Sequence, residues 1–149
     1  PYDNFEGKNA QVIPSLIKKA IEASATGKPF VAWGDGSQIR DFIHSSDVAR
    51  GMLFAAERGA GQAINLGSGT GVTIRELTEI IVNNVNPKPD VVWDTTKPAG
   101  DPKRIMDTAL AKSLGFEPIN KLQDGVRLTI EWYLSNPDDN KLRYDEFNK

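Results

Sequence analysis

Apolar residues recur at Ile13, Leu16, Ile17, Ala20 and Ile21, one face of a 3.6-residue period, and this predicts a first helix. Pro14 suits its first helical position, where a missing N–H costs nothing, and Gly27 suits a left-handed stop. Residues 30–33 read as a short strand. Gly34-Asp35-Gly36 supplies the positive-φ residues of a tight turn, and residues 39–43 read as the strand returning from it. If that strand alternates, Ile39, Asp41 and Ile43 face one way and Arg40 and Phe42 the other. A helix capped by Ser45 or Ser46 follows, with Val48, Met52, Ala55 and Ala56 as its buried stripe and Gly51 permitting close approach, ended by Gly59 and Gly61.

Residues 63–66 form a compact, mostly apolar stretch and are predicted as a strand. Thr73 and Glu76 stand at capping-box spacing ahead of a helix that buries Leu77, Ile80 and Ile81 and stops near Asn83-Asn84. Pro87 and Pro89 turn the chain into a strand over 91–93. Residues 105–107 are expected to form a very short strand, Thr108 to cap a helix over 109–114, and Gly115 to end it. Asn120 is expected to cap a last helix whose inner face is Leu122, Val126, Ile130, Tyr133 and Leu134. Helices and short strands alternate throughout, which indicates an α/β unit. The chain divides into one domain, residues 1–135, and a polar tail, residues 136–149, in which Tyr144 and Phe147 are the candidate anchors.

Composition removes several kinds of function. The 149 residues include 39% apolar residues, enough for one core. Eighteen Lys and Arg against twenty Asp and Glu give a formal charge of -2, without the basic excess of a nucleic-acid surface. With no cysteine there is no disulfide, thiolate site or cysteine nucleophile, and a single histidine disfavours a zinc centre. No apolar run reaches the roughly 18 residues of a bilayer span, so no membrane partner is expected and a soluble, cytoplasmic protein is.

Candidate chemistry is densest between Trp33 and Asp47, which includes Arg40 and His44. Arg40 beside a glycine-rich turn fits two roles, bidentate capture of phosphate oxygens and a surface salt bridge to Asp35 or Asp41. Trp33 fits a core position or a stacking platform, and His44 at a strand–helix junction reads as a structural hydrogen-bonder. Lys18 and Lys19 lie off the apolar helix face, and solvation accounts for them by position alone. The loop from Lys97 to Arg104 is held by prolines and carries three cations. It reads equally as a diphosphate clamp and as a solvated loop. Gly67-Ser68-Gly69-Thr70-Gly71 lacks the third spaced glycine of a dinucleotide fingerprint and is rejected as one.

Several separated blocks agree with one another: PYDNF, VIPSLIKKA, VAWGDGSQIRDFIHSSDVARGM, INLGSGTGVTIREL and KPAGDPKRIMDTALAKSLGFEP. In order and spacing they resemble the C-terminal half of the extended short-chain dehydrogenases, the NAD-dependent sugar-nucleotide epimerase/dehydratase family, and most of all its GDP-L-fucose synthase members. The resemblance runs from Pro1 to about Leu134. It implies an α/β fold with a Rossmann-type partner portion, an NAD or NADP cofactor held mainly by residues upstream of Pro1, and a nucleotide-diphosphate sugar as substrate. Pro1-Tyr2 resembles the position just after the family's Asn-x-Tyr-Gly-Pro segment. The family's Tyr-x-x-x-Lys pair has no counterpart here, since Tyr2 is followed by Glu6 and Tyr133 by Pro137 at that spacing.

By resemblance, Lys19, Trp33 and Arg40 match substrate-contacting positions, Lys103 and Arg104 fall in the cationic loop near the substrate, and Gln11 and Val12 begin the motif beside it. Two departures bear on mechanism. The fucose synthases that the chain resembles carry a histidine implicated as a proton donor where this chain has Gln11, whose amide cannot exchange a proton near neutral pH. Ala99 replaces an acidic substrate contact. The expectation is a substrate-binding portion of an NAD(P)-dependent epimerase, reductase or dehydratase, catalytically incomplete alone; a non-catalytic nucleotide-diphosphate-binding module is the alternative. Strands without neighbours leave open edges, so a homo-oligomer, swapped or rearranged, is expected.

Overall fold

The structure, a computed structural model, describes residues 3–6, 10–58, 61–97 and 100–137. Expectations that fall on Pro1-Tyr2, Gly59, Ala99, Tyr144 and Phe147 lie outside these residues. The first helix, α1 (Val12–Thr26), buries Leu16, Ile17, Ala20 and Ala23 and ends at Gly27, whose φ of 66° is left-handed as expected. Gln11 is its N-cap, so Pro14 sits at the third helical position instead of the first. It is tolerated there because that N–H also lacks an intrahelical acceptor.

Strand β1 (Phe30–Trp33) alternates, with Phe30 and Ala32 inside and Val31 and Trp33 outside. The turn after it uses Gly34 and Gly36, both at φ 77°. A side chain at residue 36 would also run into Trp93, whose ring would lie 2.5 Å from the new Cβ. The expected return of the next strand onto β1 does not occur. Instead β2 (Ile39–Asp41) pairs antiparallel with β3 (Gly71–Thr73) and parallel with β5 (Lys103–Arg104), while β1 pairs parallel with β4 (Val91–Asp94). Five residues of turn, pinned by the Arg75 N–H to Gly36 carbonyl bond, carry β2 away into its own sheet.

Helix α2 (Ser45–Arg58) buries Asp47 and Gly51, and Met52 and Leu53 are exposed, which corrects the expected stripe. The inward face is shifted by one residue because Gly51 lets the helix close on Leu66 and Phe116. A methyl there would meet their side chains at 2.7 and 2.9 Å. Phe54 continues that face against Phe116. Neither serine caps α2 from outside, since the helix already begins at Ser45. His44 does so instead, its carbonyl accepting from Asp47 and Val48 and its Nδ1 from the Ser46 N–H.

Helix α3 (Ile74–Val82) carries the predicted capping box. Thr73 Oγ1 accepts from the Glu76 N–H and Glu76 answers at the Thr73 N–H, holding the Glu76 carboxyl below its ordinary range. Helices α4 (Ala109–Ser113) and α5 (Leu122–Ser135) complete the chain, and α1, α3 and α5 close with β1 around Phe5, Ile17, Phe30, Leu77, Ile81, Val126 and Ile130. Thr108 makes no side-chain cap to α4; Asp107 accepts from the Ala109 N–H instead. Asn120 does not cap α5, which starts after Lys121, and Leu134 points outward.

Two predicted strands are absent as such. Residues 63–66 join no ladder among the described residues; Leu66 packs on Gly51 and the Asn65 side chain donates to the Asp107 carbonyl. Residues 105–107 yield to β5, two residues earlier, because the Met106 N–H goes to the Asp41 carboxylate and not to a neighbouring strand. Among the described residues no helix is long and apolar enough to cross a membrane.

Candidate functional site

The residues expected to hold a ligand come to lie in groups set by the topology. Gln11 and Val12 open α1, exposed, and the Gln11 side chain takes no part in capping. Val12 and Lys19 are seven residues apart, so they share one side of the helix about 10 Å apart. At the far end of that stripe the Lys19 ammonium stands over the Trp33 ring, 5.0 Å from its centroid. Trp33 is 57% exposed because it occupies an outward position of β1. A half-covered indole with a cation above it can pack against a flat ring or a sugar and favours a negative charge nearby.

Arg40 and Arg104 form the second group. They are register partners in the parallel β2–β5 ladder, so both side chains leave the sheet on the same face. Arg40 Nη1 donates to the Ile39 carbonyl at 2.8 Å, and no carboxylate pairs with it among the described residues. Gly100, at φ 74°, brings bare backbone to its other end, where a Cβ would lie 3.6 Å from Arg40 Nη2. The alternative role for Arg40, a salt bridge to Asp35 or Asp41, is not taken up. Arg104 pairs with Asp101 at 2.6 Å, both largely exposed, a contact worth little in water and easily exchanged. Lys103 pairs with Ile39 and projects from the opposite face. Two guanidiniums on one face, with only Arg104 held by a carboxylate, Asp101, match the charge and fork geometry that a diphosphate requires.

The turn linking the two groups is tied down by side-chain bonds. The Asp35 carboxylate accepts from the Ser37 N–H and hydroxyl and from Gln38 Nε2, bonds that hold its carboxyl at about 2. Arg75 donates to the Asp35 carbonyl and lies over the Trp93 ring, 4.5 Å from its centroid. Arg40 follows Trp33 by seven positions, which limits their Cα atoms to about 25 Å.

Two acids organise the surroundings in roles that the sequence does not show. Asp41 accepts from Ser68, Gly69 and Met106. Asp47 is buried and accepts from Ile119, Asn120 and Arg50. Apart from Arg50, three residues from Asp47, their donors are 27 to 73 residues away, so no local pattern shows them.

The Gly67–Gly71 loop does not fit a dinucleotide phosphate. The N–H groups of Ser68 and Gly69, which would face one, already bind the Asp41 carboxylate, and the N-terminus of α3 beyond it is closed by its own capping box. A cleft of about 740 Å³ lies beside this loop, lined by Ser68, Thr70, Gly71 and Phe42 together with residues of α3 and the start of α5. It contains none of the seven predicted residues, and its Glu76, Glu79 and Glu117 outnumber Lys112 and Lys121, which disfavours an anion.

Comparison with known proteins agrees with the resemblance read from the residues. Residues 1–67 match the NAD dependent epimerase/dehydratase family. The chain is 43% identical to a putative GDP-L-fucose synthase 2 of Arabidopsis thaliana, over 90% of this chain and 42% of that protein. It is 35% identical to the GDP-L-fucose synthase of Escherichia coli strain K12, over 93% of this chain and 46% of that protein. In structure it is similar to a GDP-L-fucose synthetase from Naegleria fowleri bound to NADP, with a TM-score of 0.81 and 28% identity over 93% of this chain and 44% of that one. The chain therefore spans less than half the length of these relatives, and its fold is α/β, a part of the extended short-chain dehydrogenase architecture.

Proposed function

We propose that this chain, related to the NAD dependent epimerase/dehydratase family, is the part of a sugar-nucleotide epimerase, reductase or dehydratase that binds the nucleotide-diphosphate sugar. The observation that carries the reading is the register pair Arg40–Arg104, two guanidiniums on one sheet face beside the bare backbone of Gly100. In this reading they take the diphosphate. Trp33, with Lys19 above it, packs against the nucleoside or sugar, and Gln11 and Val12 border the sugar from the start of α1. Lys103, on the opposite face, contributes only long-range charge.

The work assigned to these residues is binding and orientation. Neutralising a diphosphate with fixed guanidiniums holds the sugar in one place without reorganisation, which is how remote binding energy serves a reacting centre. In the family, hydride exchange with NAD or NADP supplies the redox step. The Gly67–Gly71 loop does not fit that cofactor's phosphates, and this sequence has no Tyr-x-x-x-Lys pair. Gln11 can orient a sugar hydroxyl through its amide and cannot donate a proton as an acid. The chain is accordingly expected to bind without turning over. Incubated with NADPH and 4-keto sugar nucleotides, it should leave the nicotinamide absorbance unchanged, and steady oxidation would overturn the reading.

A further inference from the structure

The Asp41 carboxylate gathers four donors from two segments far apart in sequence. One oxygen accepts from the Ser68 N–H at 2.9 Å and the Ser68 hydroxyl at 2.5 Å. The other accepts from the Gly69 N–H at 3.0 Å and the Met106 N–H at 3.3 Å. The fit is close, since a methyl at residue 67 would stand 2.9 Å from Asp41 Oδ2 and one at residue 69 would stand 2.6 Å from Thr108 Oγ1. Meanwhile the ladder joining β2 to β5 has two residue pairs and ends at Arg40 and Arg104. So short a parallel ladder does little to fix the separation of its last pair. The Asp41–Met106 bond continues the tie one residue beyond Arg40 and two beyond Arg104. The bonds to Ser68 and Gly69 brace it from the side of β3.

We propose that Asp41 is the positioning residue of the anion site: by tying β2 to the 67–71 loop and to the segment after β5, it fixes the spacing of the Arg40 and Arg104 guanidiniums. The inference rests on the reading that these two arginines take a diphosphate. Asp41 does not face the anion itself, since neighbouring strand residues leave opposite faces of the sheet. Its charge alone would act against the ligand. Neutralising a carboxylate near an anion site strengthens anion binding through charge, whereas losing the brace weakens it, so the two effects have opposite signs.

Inorganic pyrophosphate is the probe, because it tests the anion site whatever base the natural ligand carries. Calorimetric titrations of the full chain compare wild type, Arg40→Ala, Asp41→Asn and Ser68→Ala, each at a temperature where circular dichroism shows it folded. The expected result is that Asp41→Asn weakens pyrophosphate binding about tenfold, the worth of one charge-assisted contact, although it removes a negative charge. Ser68→Ala, which leaves the charge intact, should weaken it about threefold. A purely structural Asp41 would lower the melting temperature and leave the dissociation constant of the folded protein unchanged. Equal or tighter binding by Asp41→Asn, with Arg40→Ala impaired, overturns the positioning role and leaves the site standing. If Asp41→Asn does not fold, unchanged binding by Ser68→Ala overturns the proposal. Absence of wild-type binding, or an Arg40→Ala protein that binds normally, removes the anion site and the proposal with it.

Discussion

Replacing Asp47 by alanine should be among the most destabilising single changes in this chain. The residue is 1% exposed, and its carboxylate accepts from the Ile119 N–H at 3.1 Å, the Asn120 N–H at 3.0 Å, Asn120 Nδ2 at 2.9 Å and Arg50 Nη2 at 3.1 Å. These bonds clasp the start of α2 to the segment that leads into α5. Hydrogen bonds to a charged group contribute about 1.5–3 kcal/mol each, but they are not additive, and Arg50 can turn toward water. Breaking a buried ionic cluster by deleting one partner costs about 3–5 kcal/mol, and that range is expected here. Burial opposes ionisation of this carboxyl, yet the bonds from Asn120, Ile119 and Arg50 overcome it and hold the group at about 2, below its ordinary 3.8. A lowered folded-state value adds stability that is complete above the unfolded value and is lost as the pH falls through the folded one. The loss should therefore fall between about pH 4 and pH 2, and amount to roughly 2 kcal/mol. Urea unfolding followed by circular dichroism checks both parts. Asp47→Ala should lose about 3–5 kcal/mol at pH 7. The stability gap between wild type and Asp47→Asn should narrow by roughly 2 kcal/mol between pH 5 and pH 2. An alanine variant within about 0.5 kcal/mol of wild type, or a gap that stays constant with pH, would refute the reasoning.

Two further substitutions test other parts of the fold. Gly36→Ala combines a left-handed φ of 77° with a Cβ that would lie 2.5 Å from the Trp93 ring, and should cost about 2–4 kcal/mol in the same unfolding assay. Met52→Lys, at a position 63% exposed, should change stability by less than about 0.5 kcal/mol; a large loss would restore the inward stripe that the structure does not have.

What the sequence made legible is what local chemistry decides. Phe30–Trp33 carries its own alternation, Gly27, Gly34 and Gly36 declare their positive φ, and Thr73 with Glu76 declares a helix start. Where a distant contact decides, the local signal misleads. The residues 63–66 have strand composition, but among the described residues no ladder accepts them, and the face of α2 is set by Gly51 meeting Leu66 and Phe116. The Met106 N–H is drawn off by an acid 65 residues earlier, which moves the short strand to Lys103–Arg104. The candidate site divides in the same way. Arg40 and Trp33 stand out by residue type and the turn between them, and Lys19 by the resemblance. That Arg104 and not Lys103 shares the face of Arg40 depends on a register that only the fold reveals.

The central claim is that Arg40, together with Arg104, makes this chain a receptor for a nucleoside diphosphate. Calorimetry with GDP, UDP, dTDP and CDP on wild type and Arg40→Ala tests it most directly. The account predicts saturable binding of at least one of the four by wild type, weakened by at least about tenfold in Arg40→Ala, as expected for loss of a charged hydrogen-bonding partner. Failure of all four to bind the wild-type chain, or equal binding by the variant, would contradict it.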